Sequence, residues 1–148
     1  MKRTFFPIVA FALAAGSACA DPGDVFGTFA TEGASSHVRI ADCGDGSPCG
    51  TVVWIDPASL PGGKTPETVT DAEGQKILGL TMLQGFEKKS KGWAGGTIYD
   101  PKKGKTYASR LKRLDDGVLE VKGCIGPLCQ TQQWAPVADA AATSGTEG

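Results

Sequence analysis

Histidine is nearly absent: the 148-residue chain has one, His37. That excludes the multi-histidine sets on which many catalytic zinc and copper centres depend. Aromatic residues make up 7% of the chain and the formal net charge is -1, so the basic footprint of a nucleic-acid-binding protein is missing as well. After the first twenty residues no apolar run approaches the roughly 20 residues that a membrane-spanning helix needs. There is no G-x-S-x-G nucleophile motif. Neither Gly44-Asp-Gly46 nor Gly92-Trp-Ala-Gly-Gly96 connects a strand to a long helix, which argues against a phosphate-cradling loop. His37 lies beside Arg39 in an alternating segment and reads as a solvated strand residue. Asp45, Asp56, Asp100, Asp115 and Asp116 fall at turns, where aspartate bonds its own backbone. The expectation is a non-catalytic protein with no cofactor and no metal.

What the chain does have is glycine (21 residues) and proline (9), spread so that regular segments stay short. Residues 1–20 have the form of a signal peptide: Lys2 and Arg3, an apolar stretch from Phe5 to Ala15, and an Ala18-Cys19-Ala20 cleavage site. Cleavage after Ala20 leaves 13 basic against 16 acidic side chains, a net charge of -3. The expected location is the periplasm. The alternative is a lipoprotein anchored through Cys19, although Gly16-Ser17-Ala18 lacks the usual aliphatic residue before it.

In the domain from 21 to 137, Ser36 to Asp42 alternates apolar and polar residues. Gly50 to Ile55 is rich in β-branched residues, so the two form a hairpin across Cys43-Gly-Asp-Gly-Ser-Pro-Cys49. Asp56 to Thr70 reads as a long surface loop, with a two-turn helix started by Thr65 and Pro66 and ended before Gly74. Further strands are expected over Ile77 to Phe86, Trp93 to Tyr99, Thr106 to Leu114, Val118 to Cys124 and Gln130 to Val137. A basic turn from Glu87 to Gly92 separates the first two of these. Residues 138–148 have no pattern and read as a disordered tail. About eight antiparallel strands and at most one short helix predict an all-β, up-and-down β-barrel, which closes both exposed edges.

Removal of Cys19 leaves four cysteines, spaced C-x5-C and C-x4-C, unlike the C-x2-C pairs of structural zinc sites. Residues flanking a hairpin loop lie within disulfide reach. Of the three possible connectivities, local pairs Cys43 with Cys49 and Cys124 with Cys129 are therefore favoured.

Val38-Arg39-Ile40, the Cys43-Gly44 and Cys49-Gly50 pairs, Gly96-Thr-Ile-Tyr-Asp-Pro101, Gly104-Lys-Thr-Tyr107, Gly123-Cys124 and Thr131-Gln-Gln-Trp134 occur in one order. In that order the chain resembles an exported bacterial family of unknown function regarded as lipocalin-like (calycin). The resemblance covers roughly residues 24–137 and implies a lipocalin-like barrel. The chain departs from the family pattern at Gly27-Thr28-Phe29, where the family has Gly-x-Trp, and at Trp134-Ala135-Pro136, where it has Trp-x-Arg. An Asp-x-Asn-Pro stretch is also missing between Leu60 and Thr70. The stacked Trp–Arg pair of such barrels is thus absent, and the expectation is that Phe29 plugs that end by burial alone.

Trp54, Trp93, Tyr99, Tyr107 and Trp134 all fall on expected strands and are the candidate ligand-binding residues, with the reading that most of them are simply core kept open beside it. On the Thr106 to Leu114 strand, Tyr107, Ser109 and Leu111 are expected to face inward and Arg110 outward. The functional expectation is a periplasmic binding or envelope-associated module, holding a small apolar ligand in the barrel or meeting an envelope protein. The alternative is an inhibitor-like interaction module using its disulfide-tipped loops and the Asp56 to Thr70 loop.

Overall fold

A computed structural model describes residues 21–138. The signal segment with Cys19, and the tail beyond residue 138, lie outside the described residues.

Among the described residues there are nine strands: β1 (Gly27–Ala30), β2 (Ser36–Asp42), β3 (Pro48–Ile55), β4 (Thr81–Gln84), β5 (Glu87–Lys89), β6 (Gly92–Asp100), β7 (Lys105–Arg113), β8 (Leu119–Ile125) and β9 (Leu128–Val137). All neighbouring pairs are antiparallel. β4 and β5 share one position in the wall, because both pair with β6 on the same side, with a break at Gly85 and Phe86 between them. The nine strands therefore fill eight positions. The first and last strands join, Phe29 opposite Pro136, and the β4–β6 pairing closes the sheet into an up-and-down barrel, with β5 paired to β6 alone.

The core follows from strand periodicity. Residues directly opposite in register share a face, so Phe29 with Val38, Leu111 with Val121, and Leu119 with Trp134 all point inward and are buried. Arg110, between Ser109 and Leu111, is exposed as expected. His37 lies on the outer wall, its ring 4.3 Å from that of Trp54.

Four local expectations are corrected. The Thr65 helix is a single turn: Thr68 and Val69 N–H both bond the Thr65 carbonyl. The chain then leaves the helical path because Asp71 Oδ1 accepts from the Glu73 and Gln75 N–H groups, and Val69 is drawn into the core. Among the described residues the one helical element is instead a 3-10 turn, Pro57–Ser59, with the Asp56 side chain accepting from Ala58 N–H. The Asp56 to Thr70 segment is not merely a surface loop, since Leu60 packs against the core and Val69 belongs to it. The Ile77 to Phe86 strand shrinks to β4, and part of the expected basic turn is strand β5.

The barrel ends differ. At the closed end, residues 21–26 cross the opening. Arg113 N–H donates to Pro22 O, and the Trp93 indole donates to Gly23 O at 2.9 Å. Phe29 plugs this end, fully buried, but not by burial alone. The Arg113 guanidinium lies 4.7 Å from its ring centroid and donates to the carbonyls of Asp24, Phe26 and Gly117. A cation–aromatic closure is thus present with the cation supplied by β7, at a position that no motif in the last strand marks.

Candidate functional site: an open-ended barrel cavity

At the opposite end the barrel is open. The loops after β1, β3 and β6 and the β8–β9 hairpin surround a cavity of about 670 Å³, within the roughly 300–1,000 Å³ range of small-molecule sites. Trp134 and Val121 line its inner end, and Met82, Ile98 and Tyr107 its walls. Thr31, Ser36, Gln130 and Gln132 add polar groups. Trp134 Nε1 donates to Gln132 Oε1 at 2.8 Å. Because an indole N–H can only donate, this bond fixes the Gln132 amide orientation and leaves its NH₂ free to donate to another group. Ser109, on the inward face between Tyr107 and Leu111, is 2% exposed and its hydroxyl has no hydrogen-bond partner. An unsatisfied buried hydroxyl costs roughly 1–3 kcal/mol.

Both cysteine pairs are disulfide-bonded, Cys43 to Cys49 and Cys124 to Cys129, as the hairpin geometry predicted. Their purposes diverge by position. Cys43–Cys49 tips the closed end, whereas Cys124–Cys129 ties the β8–β9 hairpin at the cavity mouth, where Ile125 is 66% and Leu128 77% exposed. The two tips cannot form one contact surface.

The mouth is braced by a contact between distant parts of the chain. The Tyr99 hydroxyl, at the end of β6, donates to Asp71 Oδ2 at 2.7 Å, and Ala72 N–H donates to Pro101 O. These bonds hold the β3–β4 connection to the rim. The Tyr99 hydrogen bond keeps the Asp71 carboxyl below its usual range, against the opposing effect of burial, and the Gln75, Glu73 and Gly74 backbone adds to it. The same bond, with burial and the charges of Asp71, Glu73 and Asp100, pushes the Tyr99 phenol up to about 12. A depressed carboxyl contributes stability above its unfolded value that is lost as pH falls through the folded one. A raised phenol contributes stability below about 10 that is lost as pH rises towards about 12. Rim amide protection, followed by hydrogen exchange, is expected to fall in both windows. Tyr99→Phe is expected to move the acid limb to higher pH, and identical acid limbs in the two proteins would refute the brace.

The structure brings Tyr99, Tyr107 and Trp134 to this one cavity. Trp54 and Trp93 are elsewhere, on the outer wall against His37 and at the closed end. Gln130 also lines the cavity, and its two-residue spacing from Gln132 and Trp134 is the sequence signal that marks it. For Asp71 no local signal existed, since its partner is 28 residues away.

A closed antiparallel barrel plugged at one end and open at the other is a lipocalin-like barrel. Residues 27–135 match the family model described as "Uncharacterized protein conserved in bacteria (DUF2147)", and the chain belongs to that family. Among solved structures it is similar to protein HP1028 from Helicobacter pylori, which is described as belonging to the lipocalin family. The two share 18% identity with a TM-score of 0.60, over 86% of this chain and 89% of that one. None of the curated proteins matches the chain. No helix among the described residues is long and apolar enough to cross a membrane.

Proposed function

We propose that the protein is a non-catalytic carrier of one small, mainly apolar molecule, held in the barrel and entering through the open end. The cavity carries this reading: Met82, Ile98, Tyr107, Val121 and Trp134 make its walls mainly apolar, while Gln130, Gln132 and the charged Glu32, Asp100, Lys102 and Lys103 are available to orient a ligand. The signal-peptide form of residues 1–20 supports export to the periplasm, and the two disulfides suit an oxidising compartment outside the cytoplasm.

The test uses an uncharged apolar fluorophore, N-phenyl-1-naphthylamine, with native mass spectrometry of the exported protein alongside. Saturable one-to-one binding is expected. Gly123 lines the cavity, and a Cβ added there meets only ordinary contacts with Ile98 and Tyr107. Gly123→Phe is therefore expected to fill the cavity and abolish binding while the fold persists. Binding that is unsaturable, or indifferent to Gly123→Phe, would sink the carrier reading. The exposed Ile125 and Leu128 favour a second reading, an interaction surface at the mouth alone. Ile125→Ser with Leu128→Ser would then abolish partner capture and leave fluorophore binding intact.

A further inference from the structure

The outer wall has a second concavity, of about 470 Å³, between the β5–β6 turn and strands β7 and β8. Lys89, Lys91, Arg110, Lys112 and Lys122 line it against Glu120, with the Glu87 carboxylate beside Gly95 at its edge, in a chain whose net charge is -1. Two features set this groove apart from a solvated basic face. First, Arg110 stands directly opposite Lys122 across β7 and β8, and facing like charges destabilise a sheet. Glu87 pairs with Lys89 at 3.3 Å and Glu120 with Lys122 at 3.5 Å. Among the described residues, Lys91, Arg110 and Lys112 have no such partner. Second, β6 bulges at this point. Its register passes from Trp93 opposite Leu111 to Gly96 opposite Ser109, so Ala94 and Gly95 together face Arg110. Gly95, at φ 73°, permits the bulge, and Ala94, Gly95 and Arg110 all line the groove.

We propose that this groove binds a phosphate monoester or diphosphate group. Arg110 presents a planar fork matched to phosphate oxygens, and Lys91 and Lys112 act as point charges. A carboxylate leaves most of the three unpaired cations uncompensated, whereas a phosphate with nearly two charges, or a diphosphate with more, neutralises them. Cations here take the place of the glycine-rich loop that the sequence lacks. The groove lies on the outward face, so this site is independent of the barrel cavity.

The probe is inorganic pyrophosphate, titrated into the mature protein at constant ionic strength and followed by NMR. Saturable shifts are expected at the Trp93 indole and at the amides of Ala94, Gly95 and Arg110. Arg110→Gln, at an exposed position, is expected to fold normally and to weaken binding about tenfold or more, as for loss of a charge-assisted bond. Co-sedimentation with phosphatidate-containing vesicles, competed by pyrophosphate and absent with phosphatidylcholine alone, identifies a lipid headgroup as the source. Solution binding without co-sedimentation identifies a soluble phosphate compound. Absence of saturable shifts, shifts of equal size at the Lys102 to Lys105 turn, unchanged affinity in Arg110→Gln, or sedimentation that pyrophosphate does not compete would each overturn the proposal.

Discussion

Phe29→Ala is expected to lower the free energy of unfolding by about 3–5 kcal/mol, the usual cost of emptying a buried phenylalanine site. The position is fully buried, in register with Val38 on one side and Pro136 on the other, so neither strand can move in to fill the space without opening the barrel seam. The loss has a second component. Arg113 packs on this ring while bonding three carbonyls, two of them in the segment that crosses the closed end. Without the ring its guanidinium gains solvent and the crossing segment loosens. Urea unfolding with the disulfides intact measures the total, and a double-mutant cycle with Arg113→Ala isolates the coupling, expected at about 0.5–1 kcal/mol. A loss below about 1 kcal/mol for Phe29→Ala would mean that the closed end is held by the backbone alone.

Gly92→Ala is the second large effect. Gly92 begins β6 at φ 122°, a conformation that costs other residues roughly 1–3 kcal/mol. A methyl group there would also collide with the Leu111 carbonyl oxygen, part of the β7 backbone, which cannot rotate away as a side chain can. Overpacking of this kind adds typically about 1–3 kcal/mol. Both effects fall on the point where β5, β6 and β7 meet, so the expected result is a marked drop in melting temperature and early exchange of the Lys89 to Trp93 amides. Gly62, with ordinary φ and open space around it, is the control, and Gly62→Ala is expected to be nearly neutral. Equal melting temperatures for the two variants would show that the β6 start is mobile enough to relax.

The strands that could be read from the chain are those with one wet and one dry face. Ser36 to Asp42 and Val118 to Cys124 alternate because each side chain has only two directions to take, and both appear within a residue or two of the expected bounds. The hairpin disulfides were legible for a related reason, because their partners are close in sequence and a turn sets their distance. The Thr65 helix failed for the opposite reason. Its capping signals were real, but Asp71 gives the backbone a competing set of bonds, and Val69 gains more from the core than a two-turn helix offers.

The cavity falls between these cases. Alternation places Tyr107 and Ser109 on the inner face, and Trp134 stands out as an aromatic strand residue. Whether the space between them is filled or open depends on eight wall positions at once, and no single segment holds that information. The Phe29–Arg113 closure and the Asp71–Tyr99 brace join residues 84 and 28 positions apart.

Sequence alone determined the strand alternation, the turns and the local disulfides, because each arises from the period of a pleated strand or the reach of a hairpin. The tertiary structure decided which end is plugged, which aromatic residues share the cavity, and where unpaired cations gather on the outer wall. Those follow from closure of the barrel, which brings β1 to β9 and sets side chains from distant segments in register, a relation that no local pattern encodes.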